Sequence, residues 1–411
     1  MTSSVHHDEV IELGEGFMAD PYALYRLLRR DRPVAKARLP QGLRIWLVSR
    51  YDDVRAALVD PRLAKDSAAL VATFDRHTTA GANRTRFGAE LSAHMLNSDP
   101  PDHTRLRKLV NRGFTSRAIA RLRPQIEAVA AELVAEVAAR SAAGEVDLID
   151  SYAYPLPMTM ICEILGVPGE QRDAFRGWSN TVLSTAPIDE RAAAAAAMAQ
   201  FLTALVADKR ARPGEDLLSA AVAISEDADQ LSQNEAVSMA FLLLVAGHET
   251  TVNLIGNGML ALLRNPEQLA QLRADPSLLP GAVEEFLRLD GPVNLATMRF
   301  TTEPVTIAGT DIPAGELVLL ALASANRDPA HYPDPDELDV HRDTTNLAFG
   351  HGIHHCLGAP LARLEGEIAF RTLLDRFPTM ALAGEPDELT WRNSTLMRGL
   401  TRLPVRLVSG K

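Results

Sequence analysis

Over most of the chain the apolar residues recur at the three-and-four spacing of an amphipathic helix. Ile126, Val129, Ala130, Leu133, Val134 and Val137 follow this rule, and Gly144 stands where such a helix should stop. The alanines of residues 192–197 lead into Phe201, Leu202, Leu205 and Val206, which predicts a second helix ending before Pro213. From Gln233 the pattern runs unbroken to Asn265-Pro266, and Ser232 with Glu235 has the S-x-x-E spacing of a capping box. About 32 residues at 1.5 Å each predict a helix of roughly 48 Å, long enough to cross a whole domain.

Period-two signals are few. Residues 43–48, 305–307 (with the turn Gly309-Thr310) and 317–322 read as short strands. Residues 65–96, rich in Ala and Thr, read as a long loop with at most one helical turn, and loops of that length are usually functional. No internal repeat or Pro/Ser-rich linker divides the chain. The expectation is a flexible segment over residues 1–20 and a single, mainly α domain over 21–411 with a small β-rich region.

Composition changes this picture in two ways. Length alone would suggest two or three domains, but a chain of 411 residues can bury about three quarters of its surface in one core. With 42 Lys and Arg against 53 Asp and Glu, the net charge of −11 argues against nucleic acid as a partner. Residues 1–14 carry His6, His7, Asp8, Glu9 and Glu12 and so hold no apolar signal core. The strongly apolar stretch 236–247 falls short of the roughly 18 to 20 residues of a membrane span. A soluble, cytoplasmic monomer is expected.

Only Cys162 and Cys356 are present, which excludes a disulfide scaffold. Cys356 lies in Phe349-Gly350-His351-Gly352-Ile353-His354-His355-Cys356-Leu357-Gly358, just before a predicted helix beginning Ala359-Pro360-Leu361. The glycines let the backbone bend tightly, and a cysteine at a helix start meets the positive end of the dipole, which favours thiolate. Such a thiolate suits an iron, while a buried structural cysteine is the plainer alternative. Zinc held by His351, His354, His355 and Cys356 is disfavoured, because ligands packed into six residues strain a tetrahedron.

Three further constellations carry chemistry. Glu285 and Arg288 are an i, i+3 pair on a helix. Ala246-Gly247-His248-Glu249-Thr250-Thr251 puts an acid and a hydroxyl inside an apolar helix. That is either a satisfied polar kink or a notch where Thr250 relays a proton and Glu249 links to solvent. In Asp99-Pro100-Pro101-Asp102-His103-Thr104-Arg105-Leu106-Arg107, His103 and Arg107 share a helix face, about 40° apart. Arg105, Lys108 and Arg112 lie on the opposite side, within about 60° of one another, either as a solvated face or as a docking patch.

Taken together these motifs resemble the cytochrome P450 monooxygenases, and the resemblance runs from about Pro21 to Leu407. It implies that Cys356 is the proximal ligand of haem b, with Phe349, Gly352, His354 and Gly358 at the signature positions. It implies that Ala246, Gly247, Glu249 and Thr250 form the oxygen-activation motif, with Glu249 and Thr250 catalytic. It implies that His103, Arg107, Arg299 and His354 hold the haem propionates, and that Glu285 and Arg288 join Arg342 in a structural triad. Leu338, where the family more often has phenylalanine, is a departure expected to affect packing only.

The same resemblance places substrate against Leu96 and the loop before it, Phe241, Leu242 and Val245 with Ala246, Asn294, Leu295 and Thr297, and Leu396 with Met397. Asn294 and Thr297 are the candidate orienting groups, and some of the apolar positions are equally open to a plain core role. The function implied is insertion of one atom of O₂ into a bulky apolar molecule in secondary metabolism, such as antibiotic biosynthesis. The chain has no G-x-G-x-x-G fingerprint, so electrons are expected from a ferredoxin and its reductase, with Arg105, Lys108 and Arg112 as the docking patch. The alternatives are peroxide use, desaturation or carbon–carbon coupling at the same haem, or haem or ligand binding without turnover.

Overall fold

The computed structural model describes residues 10–40, 42–77, 89–111, 114–183, 187–222, 230–343, 345–408 and 410. The chain forms two compact units. One comprises residues 1–83, 257–356 and 387–401, the other residues 84–256, 357–386 and 402–411.

The first unit is built on a six-stranded mixed sheet. Its order is Ile11–Glu12, Val34–Arg38, Arg44–Val48, Leu317–Leu320, Arg299–Thr301 and Leu63–Ala64. Alternation along Leu317–Leu320 explains why all four of its residues are buried: Leu317 and Leu319 join Leu47, Tyr25 and Phe17 on one face, while Val318 and Leu320 join Val48, Val54 and Tyr332 on the other. A strand covered on both faces reads as a continuous apolar run, which is how it reads in sequence.

Below this sheet lies a buried ion cluster. Glu285 and Arg288 are both fully buried on the helix Leu279–Asp290. Arg288 donates from Nε to Glu285 Oε2 at 2.6 Å and from Nη2 to Oε1 at 2.8 Å. Arg342 Nε reaches Glu285 Oε1 at 3.2 Å. The remaining Arg288 donors go to the carbonyls of Asn326, Pro335 and Glu337 at 3.0, 2.7 and 3.0 Å. Leu338 is buried beside them in the chain.

The second unit is mostly helical. The helices Arg172–Leu183 and Ile188–Ala211 pack through Phe175 and Trp178 on Phe201, with ring centroids 5.4 and 5.8 Å apart. Arg123–Ser141 buries Ile126, Ala130, Val134 and Val137, as their spacing predicts. Gly144 follows at φ +141°. A three-stranded sheet, ordered Thr379–Leu382, Pro404–Val408 and Val146–Asp147, completes the unit.

The helix Gln233–Arg264 has the 32 residues expected, and its capping box closes in both directions. Ser232 N–H donates to Glu235 Oε2 at 2.8 Å, and Glu235 N–H donates to Ser232 Oγ at 3.2 Å. The helix is long and apolar enough to cross a membrane, yet 78% of its most apolar stretch is buried within the protein. It is a core helix.

Two sequence expectations need correction. Within 65–96 the chain forms a full helix, Ser67–His77, a short one at Ala89–Ser92 and a 3₁₀ turn at Met95–Asn97. The missed signal is Asp66, whose Oδ1 accepts from Ala69 N–H at 2.9 Å and caps the longer helix. Residues 78–88 of that expected loop lie outside the described residues. Near the N-terminus, within the segment expected to be flexible, Ile11–Glu12 pairs with Ala37 and Arg38, and the helix Glu15–Ala19 buries Phe17 and Met18. Those apolar side chains complete one face of the sheet.

Removing the acid of the ion cluster leaves buried Arg288 without its carboxylate, so Glu285→Ala is expected to destabilise by about 3–5 kcal/mol. Arg342→Ala, which leaves the Glu285–Arg288 pair intact, should cost about 1–2 kcal/mol. Urea unfolding midpoints would check this order, and equal losses would contradict it.

Candidate active site

In the first unit the cysteine loop is folded by glycine. Gly350 and Gly352 have φ of +72° and +76°, and a Cβ on Gly352 would stand 2.7 Å from Val59 Cγ1. Both features require glycine there. Gly350 N–H donates to Leu347 O at 2.8 Å, and Cys356 N–H returns to Phe349 O at 2.9 Å, closing the loop. His354 ends the 3₁₀ turn Gly352–His354. Cys356 is exposed, whereas Cys162 is buried, and burial pushes the Cys162 thiol up to about 11. Only one cysteine therefore offers its sulfur to a ligand. Among the described residues no three His, Cys, Asp or Glu side chains group as a metal site.

Arg299 opens the strand Arg299–Thr301, is buried, and donates from Nη1 to Leu63 O at 3.2 Å. Thr297 is half-buried, and its Oγ1 accepts from the ammonium of Lys65 at 2.6 Å. The sequence reading missed Lys65, a lysine with 2% exposure.

Two of the expected substrate residues in this unit are taken up by the fold. Asn294 is consumed by the fold: its Oδ1 accepts from Tyr25 Oη at 2.7 Å and its Nδ2 donates to Thr395 O at 3.4 Å. It is a clamp between segments and not an orienting donor. Leu295 is buried in the sheet core with Leu319 and Ala321. Met397 pairs in a β-bridge with Val293, while Leu396 O accepts from Asn294 N–H at 2.8 Å and its side chain is 39% exposed. Of this set Thr297, Leu396 and Met397 remain accessible enough to meet a ligand.

In the second unit the long helix opens at one place. Leu243 and Leu244 are buried, Val245 and Gly247 are half-buried, and Ala246 is exposed. Thr250 Oγ1 donates to Ala246 O at 2.8 Å, one turn back. A hydroxyl bonded this way competes with the helix ladder. A Cβ on Gly247 would stand 2.8 Å from Ile161 Cδ1, so glycine here permits close helix packing. Glu249 is buried, not linked directly to solvent as expected. His248 is buried, with Nδ1 2.8 Å from Leu244 O.

Leu242 and Phe241 are both buried; on the helical wheel Leu242 lies about 40° from Ala246 and Phe241 about 40° from Val245. Asn253 falls about 60° from Thr250 on the helical wheel. It is 1% exposed, and neither of its amide atoms has a hydrogen-bond partner.

A second buried acid was also missed. Glu365, on the helix Ala359–Arg376 that Gly358 caps, is 1% exposed. Burial pushes its carboxyl from 4.5 up to about 8, opposed by a hydrogen bond with Thr251. The available signal was an acid set among Leu361, Leu364 and Ile368 on an apolar face.

His103 is buried and Arg107 half-buried on the helix Asp102–Asn111, so the shared face is the inner one. Leu96 is half-buried in the 3₁₀ turn before it. The residues of the expected basic patch differ in their surroundings. Arg105 is ion-paired with Glu235, Lys108 is exposed, and Arg112 lies outside the described residues. The pairing with Glu235 comes from another helix and has no signature in the local sequence.

The cytochrome P450 family model matches residues 185–403. The cytochrome P450 monooxygenase PikC of Streptomyces venezuelae is 50% identical, covering 97% of this chain and 94% of its own length. The vitamin D(3) 25-hydroxylase of Pseudonocardia autotrophica is also 50% identical, covering 95% and 94%. The solved tirandamycin C-bound monooxygenase TamI is 49% identical, with a TM-score of 0.88 over 97% of this chain and all of that one. The chain belongs to the cytochrome P450 family. It is a monooxygenase that uses haem with a cysteine thiolate ligand and O₂, and its single exposed thiol fits that cofactor.

Glu365 yields a pH prediction. With a folded value near 8 against 4.5 unfolded, the folded chain holds more protons between those limits. Stability should therefore fall as pH rises through that window, by at most about 1.4 kcal/mol per unit. Glu365→Gln should flatten the slope, read as urea midpoints from about pH 5 to 9. Parallel slopes for mutant and wild type would contradict the assignment.

Proposed function

We propose that Cys356 is the axial thiolate and that the protein hydroxylates or epoxidises a bulky, largely apolar small molecule of polyketide or sterol-like type. The observation that carries the first part is the Cys356 loop, closed on Phe349 O and bent by two left-handed glycines, beside a second cysteine that is buried. The substrate class is supported by relatives whose names include a vitamin D(3) hydroxylase and by the tirandamycin C-bound neighbour. When bound, the haem supplies O₂ activation.

Around it the chain's own groups have separate tasks. Thr250 Oγ presents a hydroxyl one turn from exposed Ala246 on the long helix, where it can pass a proton, and buried Glu249 beside it is the acid that supplies one. His103, Arg107, Arg299 and His354 supply donors suited to the two propionates. Val245, Thr297, Leu396 and Met397 are the substrate-facing groups that the described burial supports. Electrons come from a ferredoxin and its reductase in the cytoplasm. Lys108 is the exposed cation retained from the docking patch.

The identity of the ligand is tested in the ferrous protein under CO, which should show the strongly red-shifted Soret band of thiolate ligation. Cys356→His should keep part of its haem and lose that band. Absence of the band in native wild type would refute the assignment.

Thr250→Ala should leave haem content and substrate affinity near wild type while product per NADPH falls several-fold and hydrogen peroxide rises. Unchanged coupling would move the proton-passing role to another group. A Soret-shift screen of polyketides and steroids, followed by turnover with labelled O₂, would identify the substrate and separate oxygen insertion from desaturation.

A further inference from the structure

We infer that Lys65 is a further carboxylate-binding residue for the haem, acting beside Arg299 on one propionate. The inference extends the propionate role proposed above for Arg299 and rests on it. Its basis is strand register. Leu63 pairs with Thr301 and Ala64 with Phe300 in an antiparallel ladder, which sets Lys65 across from Arg299. Residues directly opposite in such a ladder project to the same face, and like charges so placed repel one another.

Both side chains are also buried, at 2% and 5% exposure. Lys65 and Arg299 are cations with donors only, and the Thr297 hydroxyl, held by Lys65 Nζ at 2.6 Å, still has a proton to donate. An ammonium, a guanidinium and a hydroxyl on one side of a two-stranded ladder suit a carboxylate that accepts from several donors at once. Thr297 positions the ammonium, since a lysine stem otherwise explores many rotamers.

A substrate carboxylate offers the same chemistry as a propionate, so the test must tell them apart. Ferric holoprotein would be mixed with excess apomyoglobin and the rate of haem transfer followed for wild type, Lys65→Met, Lys65→Arg and Thr297→Val. Loss of one charge-assisted hydrogen bond is expected to speed transfer about tenfold or more in Lys65→Met. Lys65→Arg should stay near wild type and Thr297→Val should fall between. With haem dimethyl ester in place of haem, the Lys65→Met effect should vanish.

In parallel, spectral binding of a long-chain fatty acid and its methyl ester would be compared in the same proteins. Unchanged haem transfer with selective loss of fatty-acid binding would overturn the inference and assign the ammonium to substrate. No change in either assay would overturn it too, leaving Lys65 a structural partner of Thr297. Should Lys65→Met fail to fold, Thr297→Val with haem and its dimethyl ester carries the same comparison. Arg299→Met distinguishes the two readings: if it does not speed transfer while Lys65→Met does, the Arg299 role fails and Lys65 stands alone.

Discussion

The buried pairing of Glu285 with Arg288 is the constraint from which the cysteine loop is built. Arg288 spends its remaining donors on the carbonyls of Asn326, Pro335 and Glu337, which fixes a long irregular segment that has no ladder of its own. Asn326 then passes the restraint on, because its Oδ1 accepts from Leu347 N–H at 2.7 Å. Leu347 O receives Gly350 N–H, and Phe349 O receives Cys356 N–H. A run of hydrogen bonds thus leads from an ion pair to a sulfur position. Irregular backbone needs such external partners, since each buried carbonyl must be satisfied somewhere.

The second unit meets a different constraint. Its long helix is apolar over most of its length, yet it carries His248, Glu249, Thr251, Asn253 and Asn257 as buried polar residues. His248 and Thr250 return their hydrogen bonds to carbonyls of the same helix at Leu244 and Ala246, so their polarity is partly absorbed locally. Glu365 is different: its Oε2 has no hydrogen-bond partner, and burial makes it hold its proton at neutral pH. Glu365, on the helix Ala359–Arg376, thus brings a buried neutral acid against Thr251, the residue next to Thr250 on the long helix.

Specificity follows from what the fold leaves over. Asn294 and Leu295 are taken up by strand and clamp contacts. The groups that stay accessible are mostly apolar, with Thr297 as the polar exception, and that suits a large molecule with few polar handles. Arg105 is likewise engaged, in an ion pair with Glu235.

The sequence by itself determined the long helix and its cap, a short strand near 317–322, the signature around Cys356 and the i, i+3 pair of Glu285 with Arg288, each written in local spacing. Arg342 as their partner came only from the family resemblance, and the structure shows the contact. The sequence did not reveal the helix Ser67–His77, because the Val and Thr among its alanines blur the helical preference and the Asp66 cap was overlooked. Nor did it reveal that Asn294 is a clamp, that Arg105 is neutralised, or that Lys65 and Glu365 are buried. Those outcomes depend on which distant residue arrives opposite: Tyr25 for Asn294, Glu235 for Arg105, Thr297 for Lys65 and Thr251 for Glu365. Burial and charge pairing are properties of neighbours in space, so only the tertiary structure decided them.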